Sequence, residues 1–346
     1  VTTRATDRGD LLLDVADLHT TFSTPRGPLV AVDGVSLTLH RGETLGVVGE
    51  SGSGKTVLTR SIMGLLPRTA TTTGSVRFDG TELIGAPPKQ LRQVWGAHVA
   101  MVFQDPMTSL NPVHRVGRQI EENLRLHLKL SKRDARSSAV TLLAQVGIPS
   151  PEVRAKSYPI QLSGGMRQRV MIAIALACGP ELLLADEPTT SLDVTVQAQI
   201  LDLMDELQRK RHMAMIFVTH DLGIVATRTD RIMVMYAGRV VEYAPTVQLF
   251  ANVRMPYTEA LLHSTPRLAD PSHTRLQAID GRPPDLVSRP RGCPFAVRCP
   301  YATDECHEQA PPLVADPGAP EHLYACWHPR GVGLPAPVAL GSARVR

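Results

Sequence analysis

Two stretches of this chain carry groups suited to a shared phosphate chemistry. The first, Gly49-Glu-Ser-Gly-Ser-Gly-Lys-Thr56, fits G-x-x-x-x-G-K-[ST], a loop whose backbone N–H groups cradle phosphates. Its three glycines let the backbone approach a phosphate chain without Cβ clashes. Lys55 supplies a point charge for β- and γ-phosphates, and the Thr56 hydroxyl is a ligand for Mg²⁺. The second stretch, Leu182 to Glu187, is an apolar strand delivering Asp186 with Glu187 at its tip. Adjacent acids at a strand end point in different directions, so one can hold the metal while the other faces an attacking water.

A third stretch, Leu162-Ser-Gly-Gly-Met-Arg-Gln-Arg169, sets Ser163, Gly164 and Gly165 before a helical pattern, a second anion-binding terminus. Two such termini in one chain would demand two ligands. The pair resolves if the second completes the site of another copy. Cys293, Cys299, Cys306 and Cys326 form a further group, without the Cys-x-x-Cys knuckles of a zinc ribbon. Four thiolates on widely spaced loops suit tetrahedral zinc or a cubane cluster. Cys178, in an apolar helix, reads as a buried structural thiol.

The flanking sequence shows strands and helices on either side of these groups. Glu43 to Val48 is an apolar strand before the phosphate loop, and Val57 to Leu66 is helical after it, which aims a positive helix end at the phosphates. Leu11 to Leu39 reads as an antiparallel sheet, with Val35, Leu37 and Leu39 alternating. Asp79-Gly80 closes another strand, and Val99, Met101 and Phe103 alternate in the one ending at Gln104. Residues 105–161 turn helical, with Val116, Ile120, Leu124 and Leu128 on one stripe and Val140 to Val146 on a second. Leu182 to Ala185 is a buried parallel strand; Ile200, Leu203, Met204 and Leu207 mark a helix; Met215 to Val218 is another strand. Ile232 to Tyr243 reads as a hairpin about Ala237-Gly238. Sixteen of the 28 prolines lie from Pro245 onward, so that part should not continue the sheet regularly. The expected organisation is an N-terminal tail over 1–10, a main domain over 11–245 with a helical subdomain at 105–163, a loop-rich cysteine module over 246–330, and a disordered tail over 331–346.

At 346 residues, with 43% hydrophobic and 20% charged residues, the chain has the composition of ordinary globular domains. The longest apolar run, Val170 to Cys178, is too short for a membrane span. Val1 to Asp10 is polar and Leu11 to Val15 too short for an apolar targeting core, so a cytoplasmic protein is expected, meeting any membrane through partners. The net charge of +4 and the absence of aromatics among the basic clusters argue against a nucleic-acid partner.

Gly49 to Thr56, Gln104, Leu162 to Gln168, Asp186-Glu187, Ser191-Leu-Asp193 and His220 together resemble the nucleotide-binding domains of ABC transporters, over residues 11 to 330. The resemblance implies an α/β fold, a RecA-like P-loop domain with an antiparallel β subdomain and an α-helical subdomain. It implies ATP with Mg²⁺: Phe22 stacking on adenine; Gly49, Ser51, Gly52, Ser53, Gly54, Lys55 and Thr56 around the phosphates; Thr56, Gln104 and Asp186 at the metal. Glu187 would be the general base, His220 the γ-phosphate switch and Gln104 the sensor of Mg²⁺ and water. Ser163, Gly164, Gly165 and Gln168 would serve the nucleotide of a facing subunit, and Asp193 would cross that interface. Pro256-Tyr-Thr258, Gly281-Arg-Pro-Pro284 and Gly292-Cys-Pro-Phe295 further resemble the ATP-binding subunits of oligopeptide and dipeptide permeases, a group with nickel and glutathione importers. Met255 stands where that group usually has His. This resemblance favours a [4Fe–4S] cluster on the four cysteines, with zinc the alternative. It also implies a heterodimer with a related ATPase subunit, two transmembrane permease chains and an extracytoplasmic binding protein, on the cytoplasmic face of a bacterial membrane. The rival class is an ABC ATPase acting on nucleic acid or ribosomes, which would carry tandem cassettes or coiled-coil insertions.

Overall fold

The computed structural model describes residues 10–190, 192–264, 279–331 and 333. Among them twelve strands form: β1 (Leu11–Thr24), β2 (Gly27–His40), β3 (Thr44–Val48), β4 (Ala70–Phe78), β5 (Thr81–Glu82), β6 (Val99–Val102), β7 (Leu182–Asp186), β8 (Ala214–Thr219), β9 (Arg231–Tyr236), β10 (Arg239–Pro245), β11 (Val314–Asp316) and β12 (Ala319–Tyr324). Two compact units result. One holds Leu11–Leu39, Glu43–Ile84 and the residues from Phe217 on; the other holds His40–Gly42 and Gly85–Ile216.

In the first unit an antiparallel sheet runs in the order β2-β1-β4-β5. Val35, Leu37 and Leu39 are buried on one face, as their alternation predicts. Asp79 (φ 46°) and Gly80 (φ 73°) turn β4 into β5, and Ala237 (φ 50°) and Gly238 (φ 81°) turn β9 into β10. Positive φ at both central residues matches the twist of paired strands, which is why each two-residue turn makes a hairpin. β3 is buried along its whole length and pairs in parallel with β9, from Leu45↔Arg231 to Val48↔Val234.

After Tyr243 the structure departs from the sequence expectation. β12 pairs antiparallel with β10 through Glu242↔Tyr324 and Tyr243↔Leu323, and β11 pairs with β12, so the cysteine-bearing part does extend the sheet. The prolines do not forbid this, because the pairing is short and lies where a missing N–H is tolerated. Glu242, fully buried, accepts from the N–H groups of Arg254 and Met255 and faces His322 Nε2 at 2.7 Å. Arg254 pairs with Asp316. Further on, Arg289 and Arg239 converge on Asp33, the latter through Nε at 2.6 Å. Burial alone would raise the Asp33 carboxyl, but the two guanidinium groups outweigh it and hold it below its usual range.

In the second unit β6 and β7 run parallel, from Val99↔Leu182 to Val102↔Ala185. All four residues of β6 are buried. The helix Gly164–Ala175 packs on β6, and β7 is its hydrogen-bonded neighbour in the sheet. The helix Val116–His127 buries Val116, Ile120 and Leu124, as their spacing predicts. Leu128 leaves that stripe and is 46% exposed, because it caps the helix just before Lys129 turns to φ 56°. The helix Lys132–Gln145 starts at Ser131, whose hydroxyl accepts from Asp134 N–H. Ile200, Leu203, Met204 and Leu207 are buried on the helix Val194–Arg211.

The expectations for residues 1–10 and 331–346 lie almost entirely outside the described residues, as does Ser191. Among the described residues no helix is long and apolar enough to cross a membrane. The contrast within one helix gives a stability prediction. Ile120→Ala should cost about 2–5 kcal/mol in denaturant unfolding, and Leu128→Ala no more than about 0.5 kcal/mol. Equal losses would place Leu128 back on the buried stripe.

Candidate functional site

The phosphate loop follows β3 and opens the helix Lys55–Ile62. Its path leaves no room for side chains at two glycines. A Cβ on Gly49 would lie 2.2 Å from the Met235 carbonyl oxygen, and one on Gly54 would lie 2.4 Å from that of Ala31. Gly54 also has φ 102°, outside the range most residues adopt. At Gly52, with φ 80°, an added Cβ would meet no atom within 4 Å, so that side of the loop is open. Lys55 is buried and donates from Nζ to the carbonyl oxygens of Gly49 at 2.7 Å and Glu50 at 2.9 Å. The Ser53 hydroxyl is buried without a hydrogen-bond partner. A buried unpaired hydroxyl is costly alone, and here it sits in a cradle of backbone beside a buried cation. These features fit a bound phosphate chain. Phe22 stands half-buried in β1, paired with Ala70, and His220 is exposed at the end of β8. Asp221 after it caps the helix Leu222–Arg228 by accepting from Gly223 N–H at 2.7 Å.

In the other unit, Asp186 ends β7 fully buried, and Glu187 follows at φ 46°. A left-handed glutamate is strained by about 1–3 kcal/mol and needs support from its surroundings. Glu187 Oε2 accepts from Gln104 Nε2 at 3.1 Å and from Thr190 Oγ1 at 2.9 Å, so the structure brings the two sequence-predicted residues together. Thr190 gave no signal in the sequence beyond its place in a polar turn. Ser163 caps the helix Gly164–Ala175, accepting from Met166 N–H at 3.3 Å. Gly165 has a packing reason to be glycine, since a Cβ there would lie 2.7 Å from Val196 Cγ1. Gln168 is buried, with Nε2 unpartnered. Asp193 caps the helix Val194–Arg211, accepting from Val196 N–H at 2.9 Å.

The four C-terminal cysteines are free thiols and line one small apolar cavity with Met255, Phe295, Tyr301 and Trp327. Burial pushes the Cys293 and Cys299 thiols up, and that of Cys326 up to about 12. The loops are tightly joined: Cys293 N–H donates to the Cys306 carbonyl at 2.7 Å. The expected metal centre is not supported by this arrangement: among the described residues, no group of three or more His, Cys, Asp or Glu side chains is set to hold a metal ion. Cys178 is partly buried, with its thiol also raised by burial.

Sequence reasoning passed over Arg298 and the role of Tyr257. Arg298 lies in the turn between Cys293 and Cys299, and its guanidinium grips Glu50 of the phosphate loop at 2.6 and 2.9 Å. Tyr257 Oη accepts from Glu50 N–H at 2.8 Å. Tyr257 lies in a stretch the sequence marks as a motif and Arg298 just past one, but an arginine beside a cysteine says nothing of a partner 248 residues away.

Comparisons with known proteins agree with this geometry. Residues 32–190 match the ABC transporter family model, and residues 241–306 match the model of the oligopeptide/dipeptide transporter C-terminal region. The chain is 48% identical to the oligopeptide transport ATP-binding protein OppD of Salmonella typhimurium, across 94% of this chain and 96% of that protein. It is 49% identical to the dipeptide transport ATP-binding protein DppD of Bacillus subtilis, across 91% of this chain and 94% of that one. Among solved structures it is similar to a dimeric post-hydrolysis state of the ATP-binding cassette MJ0796 bound to ADP and Pi. The TM-score is 0.62 at 27% identity, covering 68% of this chain and 99% of that one. With its phosphate loop formed and nearly half its residues shared with such proteins along almost the whole chain, the protein belongs to the ABC transporter family, as an ATP-hydrolysing ATP-binding subunit.

Proposed function

We propose that this chain hydrolyses ATP to power the import of oligopeptides or dipeptides through a membrane permease. The observation that carries the reading is the preformed phosphate loop, with Lys55 buried on its own carbonyls, in a chain that also matches the oligopeptide/dipeptide C-terminal region. When ATP enters, its phosphates replace those carbonyls as partners of Lys55, and the loop N–H groups and the Ser53 hydroxyl take the phosphate oxygens. Thr56, Asp186 and Gln104 are the residues that would serve Mg²⁺, and the ion would neutralise charge on the phosphates. Glu187 accepts the proton of the attacking water, and Gln104 and Thr190 fix its carboxylate for that task. His220 contacts the γ-phosphate, and Phe22 stacks on the adenine. Ser163, Gly164 and Gly165 serve the nucleotide held by a second ATPase subunit, and Asp193 faces that subunit. A related but distinct chain as the second subunit, two permease chains and an external binding protein complete the assembly at the cytoplasmic face of the membrane.

A second element of the proposal is a [4Fe–4S] cluster on Cys293, Cys299, Cys306 and Cys326, with zinc the alternative; all four thiols line one cavity, and they would have to draw together there to hold it. A bound cluster would cross-link a module rich in proline and poor in core, because binding to a site absent in the unfolded chain adds to folding free energy. Phe295 and Trp327 on the cavity wall keep water away.

Glu187→Gln should abolish steady-state ATP turnover while leaving ATP bound, since a general base contributes to rate and not to ground-state binding. Normal turnover by the variant would remove Glu187 from that role. For the cysteines, anaerobically purified protein should be brown, with about four iron and four sulfide per chain. One zinc in colourless protein would select the alternative, and metal-free protein with an equally protease-resistant module would end both.

A further inference from the structure

Glu50 is the second residue of the phosphate loop, and each of its polar groups is committed. Its carbonyl receives Lys55 Nζ at 2.9 Å, its N–H donates to Tyr257 Oη at 2.8 Å, and its carboxylate holds both terminal nitrogens of Arg298. Arg298 is itself fixed. Its side chain is 3% exposed, and it donates to Tyr236 Oη at 3.1 Å and to the carbonyls of Asp280 at 2.9 Å and Ile279 at 3.1 Å. Tyr236, Tyr257 and Phe295 pack on one another with ring centroids 4.5 to 5.4 Å apart, and Phe295 starts the turn that carries Arg298 to Cys299. A bidentate guanidinium–carboxylate pair of this kind fixes orientation as well as charge.

We propose that the Cys293–Cys299 turn acts on the nucleotide site through Arg298, a positioning residue that holds Glu50 and so the carbonyl on which Lys55 rests. The inference depends on the phosphate loop binding ATP, as proposed above. Two effects point the same way. The clamp orders the loop before ligand arrives, which lowers the cost of binding. It also neutralises a carboxylate that would otherwise repel polyphosphate at close range. By reciprocity, nucleotide must then favour the Arg298–Glu50 pair by the same factor by which the pair favours nucleotide.

The test reads nucleotide affinity and backbone protection in the full chain. Arg298→Gln should raise the MgADP dissociation constant about tenfold, and should do so much less in a Glu50→Gln background, where no charge pair remains to break. Hydrogen exchange of the amides between Cys293 and Cys306 should slow on adding MgADP to the unaltered chain, and this slowing should vanish in Arg298→Gln. The first exchange measurement needs no variant, so a misfolded variant does not remove the test. An unchanged dissociation constant in Arg298→Gln, an equal effect in both backgrounds, or exchange in the turn that ignores MgADP would overturn the inference. Failure of the unaltered chain to bind MgADP at all would instead overturn the nucleotide reading on which it rests.

Discussion

A short run of backbone that turns with no space for side chains is the constraint on which the nucleotide site depends. At Gly49 and Gly54 a single added carbon would press into the carbonyls of Met235 and Ala31. That closeness lets the loop N–H groups converge while Lys55 is buried against two carbonyl oxygens. A buried lysine without an anion is costly. Here the loop's own carbonyls hold it in place, and phosphate is the better partner it exchanges them for. The surrounding strands serve this geometry. β3 brings the chain to the loop, β9 fixes β3 in parallel register, and the turn after β9 places Gly238 N–H on the Ser53 carbonyl at 2.9 Å.

The C-terminal part extends the same logic. Instead of standing apart, it pairs β12 with β10, buries Glu242 against His322, and brings Arg298 and Tyr257 to Glu50. A module with so many prolines has few ladder hydrogen bonds to hold it. Charged pairs and the Tyr236–Tyr257–Phe295 ring cluster take that part. A pair buried in this way is strongly destabilising to break on one side alone.

Much of this was legible in the sequence. The glycine spacing around Lys55, the apolar run into Asp186-Glu187 and the Ala237-Gly238 turn report local backbone requirements, and local requirements leave marks on residue type. What escaped were facts set by distant packing. Leu128 fits the helical period but lies past the helix end. The proline count hid the β10–β12 pairing, because proline excludes a ladder hydrogen bond at its own position and not at its neighbours. The Arg298–Glu50 pair joins residues 248 apart and has no local signature. For the cysteines the spacing showed a group of four, and the structure gathers them on one cavity without setting three to hold an ion.

Calorimetric titration of MgATP into the full chain and into Lys55→Met reads whether the loop around Lys55 is the site for MgATP. The unaltered chain should bind one equivalent, and the variant, still folded by its unfolding transition, should lose at least about a hundredfold in affinity, as for removal of a buried cation from its anion. Equal affinity in the two proteins would contradict the account.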